Sequence, residues 1–253
     1  MLSKFYDKFI VLLNSIMRYI SSGRSMPCHF SSLENPRGID CYDEYLLKHI
    51  NKNKISLVDI GAHRGDFVKM IEERIGISNA ILVEPIPACF EYLKAEFGGR
   101  YTILNNIVID KLTENALFHI YDFAETSSVL AIKDIKELAG VETGLNLDVN
   151  ISSLTLDVLY SKYLKGRLID LAKIDVQGAE HLVLASAGQF LKYTNFVWIE
   201  VSFKQLYDNS MLFNDIYNLM AKLGFILIEI SPGHRSVEGE LLQADVLFKN
   251  KTL

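Results

Sequence analysis

The sequence predicts an α/β fold, a mostly parallel sheet with helices on both faces. Three observations predict it. Short apolar runs alternate with segments of helical period, a glycine-bracketed turn follows the first run, and an acid closes the second.

Taken in chain order, "MLSKFYDKFIVLLNSIMRYISSG" has apolar residues Phe5, Phe9, Leu12, Leu13, Ile16 and Ile20 at helical spacing, with Lys4, Asp7, Lys8 and Arg18 on the other side. It reads as an amphipathic helix. Asn14 and Arg18 interrupt what a secretory signal would need, and the stretch is too short to span a bilayer. The helix packs on its own domain or a partner subunit, or it lies at a membrane surface. "SSGRSMPCHFSSLENPRG" then reads as a linker or an ordered loop. Residues 1–54 are thus a helical arm and linker, and 55–253 are the main domain.

In that domain "ISLVDI", "AILVEP", "YTILNN", "LIDLAKIDV" and "NFVWIEVSF" are strands. The intervening helices are Phe67–Ile75, Ala88–Phe97, Glu180–Leu191 and Leu212–Leu223. Crossovers of this kind give βαβ units, and ligands then sit at the carboxyl ends of the strands. Near the C-terminus "GFILIEIS" and "LLQADVLFKN" are separated by a stretch too short for a crossover helix, so they pair antiparallel. "ALFHIYD", Ala116 to Asp122, reads as an added strand or edge hairpin.

Composition narrows the function. With 253 residues, 49% hydrophobic, 23% charged and a net charge of -5, the chain can bury a large core and lacks the basic excess that nucleic-acid binding requires. Three cysteines, Cys28, Cys41 and Cys89, form no C-x-x-C pair, which points to reduced thiols in a cytoplasm rather than a disulfide framework or zinc site. If the N-terminal helix binds lipid, the inner membrane surface is the place.

In "VDIGAHRGDF" the strand ends at Ile60, and Gly61 and Gly65 bracket the turn into a helix. Missing side chains there let a ligand approach the backbone. The spacing departs from G-x-G-x-x-G, so a pyrophosphate is disfavoured. Asp59 would repel a phosphate but suits an ammonium group. Glu84, closing the second strand, is placed to accept hydrogen bonds from both hydroxyls of a ribose. Adenosine carrying a charged amino acid is S-adenosylmethionine. The cofactor-facing set is Asp59, Gly61, Ala62, His63, Gly65, Glu84 and Pro85, with Asn106 at the third strand's end meeting the adenine edge. His63 either lies along the cofactor or caps the turn, and Asn106 is otherwise an ordinary turn amide.

Downstream, "LAKIDVQGAEHLVLASAG" ends a strand at Asp175, turns at Gly178 and opens a helix at Glu180. Together with "VDIGAHRGDF", "LVEPIPACFEYL" and "WIEVSFKQLY", it closely resembles the FkbM-type methyltransferases over about Ser56 to Phe248. The resemblance implies a Rossmann-like class I methyltransferase sheet of seven strands, the last antiparallel. It also implies S-adenosylmethionine-dependent O-methylation of polyketide or sugar hydroxyls. One departure is visible: relatives usually read D-x-G-A-N where this chain has His63.

Methyl transfer to a hydroxyl asks the protein to align the oxygen and remove its proton. Asp175 and Glu200, at the ends of neighbouring strands, are the candidates for base, substrate orienter or metal ligand. Lys173 shares a strand face with Asp175 as a catalytic cation or its ion-pair partner. Glu180 is explained by the helix dipole, and His181 is a base in reserve. Asp175 and Glu200 would suit Mg²⁺, although two acids at strand ends equally describe a metal-free site. Phe203, Tyr207 and the segment Asp122–Thr126 would suit a sugar acceptor, and a membrane-tethered glycan would explain the N-terminal helix. Thr126 to Ser128 line the mouth or form an ordinary loop.

Two other classes compete. An NAD-dependent sugar oxidoreductase would share the sheet but should show the dinucleotide turn. A non-catalytic module on the same scaffold should have lost acids, whereas Asp59, Glu84, Asp175 and Glu200 are all present. An oligomer is compatible with the sequence and not specified by it.

Overall fold

Strand β1, Ile55–Ile60, is central because every residue in it except Ser56 is buried, with Leu57 facing one core layer and Val58 and Ile60 the other. The computed structural model describes residues 47–133, 143–231, 233–236 and 238–253. The amphipathic stretch 1–23, the linker, Cys28 and Cys41 lie outside them.

Helix α1 (Asp66–Arg74) returns the chain to β2 (Ile77–Val83), and α2 (Pro87–Phe97), opened by a proline at its first turn, leads to β3 (Thr102–Leu104). Phe67 and Ile71 of α1 and Leu93 and Phe97 of α2 pack with Leu57, Leu82 and Trp198 on one face of the sheet. β8 (Ile169–Ile174), β9 (Thr194–Ser202), α6 (Phe213–Lys222), β10 (Phe225–Ile230) and β12 (Leu241–Asn250) complete the main sheet. Its order is β10-β12-β9-β8-β1-β2-β3, parallel except that β12 runs antiparallel to both neighbours. The predicted seven strands and antiparallel last strand are present. An eighth, the two-residue β11 (His234–Arg235), pairs with β12.

Strand order reverses between β1 and β8, which lie side by side. A crevice at their carboxyl ends is the expected ligand site.

Between β3 and β8 the chain departs from simple alternation. β4 (Ile107–Val108) pairs with β7 (Ser153–Leu154), and β5 (Ala116–Tyr121) with β6 (Leu145–Ile151) in a separate antiparallel ladder. The expected added strand is therefore present, and its partner strand, in a ladder apart from the main sheet, was not legible. α3 (Leu156–Leu159) runs on into a π-turn, Tyr160–Leu164, closed by left-handed Lys165.

The single helix expected over Glu180–Leu191 is two: α4 (Glu180–Leu184) and α5 (Gly188–Lys192). The break has a tertiary cause. Asp157 Oδ1, at the start of α3, accepts from Gln189 N at 2.8 Å and Phe190 N at 2.9 Å, giving α5 a cap from outside its own segment.

Candidate active site

The turn after β1 is held by its own strand neighbours. Gly61 N and Ala62 N both donate to Val83 O, at 2.9 and 3.1 Å, and Gly65 N donates to Ala62 O at 2.7 Å. Gly61 has φ 83°, and a Cβ there would collide with the Asp175 carbonyl oxygen. At Gly65 a Cβ would come within 2.6 Å of the Phe97 ring. The glycines were expected to make room for a ligand. The room is instead filled by the chain itself, so they serve close packing of the turn against β8 and α2. His63 takes φ 47°, a left-handed position that suits Asn and His better than most residues. This accounts for the departure from Asn in physical terms.

Glu84 is 3% exposed. Its Oε2 accepts from His63 N at 2.7 Å and its Oε1 from Ile86 N at 2.8 Å, so the carboxyl joins the turn to the start of α2. Burial pushes it up to about 7, against the opposing effect of those two amides. Each oxygen keeps a second lone pair. Asn105, which sequence reasoning passed over, donates to Glu84 O and Pro85 O. Asn106, expected to meet a ligand, spends its amide on Ser152 O at 3.1 Å and Ser152 Oγ at 2.9 Å. It nonetheless lines a small cavity with Gly61, Val83, Pro85, Phe118 and Val176, which brings three of the predicted cofactor residues together.

A charged cluster occupies the ends of β1, β8 and β9. Asp59 is fully buried, and neither of its oxygens has a hydrogen-bond partner. Burial pushes it up to about 6, less the pull of Lys173, whose Nζ is 3.9 Å away. Lys173 Nζ also lies 2.8 Å from Asp175 Oδ2. Burial opposes the lysine's charge, but Asp175 and Asp59 outweigh it and hold its pKa above the ordinary value. The ion-pair role expected of Lys173 is thus realised. Asp175 lies below the usual carboxylate range because Lys173 and a hydrogen bond from Gln177 overcome the effect of burial. Glu200 behaves oppositely: burial, then repulsion from Asp175 and Asp245, lifts it well above its ordinary value. The two carboxyls are thus shifted in opposite directions, Asp175 toward the ionised form and Glu200 toward the protonated one.

Glu180 Oε1 accepts from Val176 N and Gly178 N, both at 3.1 Å, so it braces the turn after β8. Burial raises it to about 7. His181 is half-buried, and burial lowers its pKa. Tyr207, expected to offer a sugar its ring, is fully buried. Its hydroxyl reaches Thr126 O and Gln177 Oε1 instead. Phe203 is half-buried and stacks on Phe213 with centroids 5.2 Å apart. Ser128 Oγ donates to Val176 O at 3.3 Å, so the Thr126–Ser128 loop docks on the turn after β8.

A divalent cation between Asp175 and Glu200 does not fit this arrangement. Gln177 Nε2 donates to both carboxyls and the Lys173 ammonium occupies Asp175, so donors stand where a metal needs acceptors. Among the described residues no group of three or more His, Cys, Asp or Glu side chains could hold a metal ion.

The main sheet, with a buried acid, a glycine turn and a second acid at its switch point, is that of a doubly wound α/β protein, whose ligands bind at this crevice. The chain belongs to the methyltransferase FkbM domain family, whose model matches residues 59–227. Among solved structures, a methyltransferase FkbM from Methylobacillus flagellatus KT superposes with a TM-score of 0.50 at 12% identity, covering 81% of this chain and 47% of that one. This chain spans about half the length of that relative. Magnesium protoporphyrin IX methyltransferase from Synechocystis PCC 6803, solved with bound SAM, gives a TM-score of 0.48 at 10% identity over 84% and 78% of the two chains. The 1,6-didemethyltoxoflavin-N1-methyltransferase of Burkholderia thailandensis gives 0.46 at 11% over 96% and 89%. No curated protein matches the sequence. Among the described residues no helix is long and apolar enough to cross a membrane.

Proposed function

We propose that this methyltransferase-family protein uses S-adenosylmethionine to methylate a hydroxyl group, on a sugar or glycan or on another secondary metabolite, in the cytoplasm. The observation that carries the cofactor assignment is Glu84. Two backbone amides fix both its oxygens beside the switch point, leaving one lone pair on each for the two hydroxyls of a ribose. Asp59, which has no hydrogen-bond partner and only the Lys173 ammonium 3.9 Å away, suits the cofactor's cationic amino-acid end and would repel a pyrophosphate. The small cavity beside Gly61, Pro85 and Asn106 has mostly apolar walls, the surface character an adenine face prefers.

When bound, this cofactor supplies a methyl group on a positively charged sulfur, already activated for in-line displacement. The protein's own residues then have two tasks. Asp175, the ionised carboxylate of the cluster and the most exposed member of its ion-paired trio, accepts the acceptor's hydroxyl hydrogen and orients the oxygen. A carboxylate held below its usual range is a weak base. That suffices here, because the hydroxyl becomes acidic as its oxygen acquires the methyl group. Lys173 favours the ionised form of Asp175.

Calorimetry of the full chain with S-adenosylhomocysteine and NAD in parallel tests this reading. Selective binding of the first, lost in Glu84→Ala, is the expected result. Binding of NAD alone would overturn it.

A further inference from the structure

Gln177 bridges the two carboxyls at the strand ends. Its Nε2 donates to Asp175 Oδ1 at 2.8 Å and to Glu200 Oε2 at 3.2 Å. Its Oε1 lies 3.1 Å from the Tyr207 hydroxyl, whose one proton is shared between it and Thr126 O at 3.0 Å. Both donors and the acceptor of the carboxamide are therefore engaged. The backbone at Gln177 is left-handed, with φ 57°, a sparsely populated conformation for a residue of this kind that persists only where the surroundings over-determine it. Tyr207 supplies that constraint. Besides its hydroxyl contact, its ring lies against Gly178 so closely that a Cβ there would come within 2.8 Å. The residue is buried in full and also ties down the loop at Thr126.

We propose that Gln177 is a positioning residue of the transfer site: its carboxamide, oriented by Tyr207, holds Asp175 and Glu200 at a fixed separation and aligns the Asp175 carboxylate for the acceptor hydroxyl. This rests on the methyl-transfer reading above. The residue type is what the surroundings demand. Asp175 is also influenced by Lys173 and His63, and Glu200 by Asp175, Asp245, Glu180 and Lys173. A glutamate at 177 would add another negative charge to this set and remove both donors. A neutral amide donates to both carboxyls at once without adding charge to the cluster.

The test is a carbon-13 NMR titration of side-chain carboxyls in the full chain, with the Asp175 signal assigned by Asp175→Asn. In Gln177→Met the Asp175 midpoint should rise by about one pH unit or more, a tenfold change in proton affinity, because a donor to the ionised form is gone. Tyr207→Phe should shift it the same way by less, and the double variant no further than Gln177→Met alone. An unmoved Asp175 midpoint in Gln177→Met would overturn the proposal. Should that variant fail to fold, an unmoved midpoint in Tyr207→Phe would do so. Failure of the parent protein to bind S-adenosylhomocysteine would strike the cofactor assignment and leave this titration intact, so the two failures are distinguishable.

Discussion

The Lys173 ammonium lies 2.8 Å from the Asp175 carboxylate and is the shared counter-ion of Asp175 and the fully buried Asp59. Removing it leaves the buried Asp59 and the half-buried Asp175 without a cation. Lys173→Met should therefore destabilise the protein by about 3–5 kcal/mol, read from urea unfolding near neutral pH. Adding Asp175→Asn to that variant should recover part of the loss. If Lys173→Met were as stable as the parent, the ion pair would contribute nothing to folding.

Asp175 itself is the proposed partner of the acceptor hydroxyl. Asp175→Ala should abolish turnover while changing affinity for S-adenosylhomocysteine by less than about tenfold, or about 1.4 kcal/mol. Full turnover in the variant would remove Asp175 from the chemistry.

Glu180 gives a pH dependence of known sign. Its folded value, about 7, lies above its ordinary value of 4.5, so the native state binds the proton more tightly than the unfolded chain. The associated stability is fully present below about 4.5 and is lost as pH rises through about 7, at up to roughly 1.4 kcal/mol per pH unit. Asp59 and Glu84 act in the same direction. Glu180→Gln keeps an acceptor for Val176 N and Gly178 N but cannot ionise. Urea unfolding across this window should show a flatter pH slope in the variant than in the parent.

Asp59 carries a second pH effect, on ligand affinity. If its ionised form holds the cofactor's ammonium, affinity for S-adenosylhomocysteine should fall as pH drops below about 6, by up to about tenfold per pH unit. Calorimetry over that range checks this, and Asp59→Asn should bind weakly with no such slope.

Gly61→Ala would place a Cβ against the Asp175 carbonyl at a φ of 83°. β1 and β8 would have to separate at the switch point, and the expected cost is about 3 kcal/mol or more, measurable as a lowered thermal midpoint.

Much of this was legible in the chain itself. Alternation of apolar runs with helical periods is a local property, so the parallel strands, the antiparallel pairing of β10 with β12 and the positions of Asp59, Glu84, Asp175 and Glu200 at strand ends could be read directly. Lys173 and Asp175 could be placed on one face by the two-residue period of a strand.

What only the tertiary structure decided involves partners far apart in sequence. Gly61 and Gly65 are glycines because of Asp175 and Phe97, and the helix after Gly178 breaks where Asp157 supplies a remote cap. Glu200 differs from Asp175 in proton affinity because burial and the neighbouring Asp245 meet at one and Lys173 at the other. Period and spacing encode which face a residue occupies. Charge state and close contact depend on which other strand end stands a few ångströms away, and that is set only when the sheet has assembled.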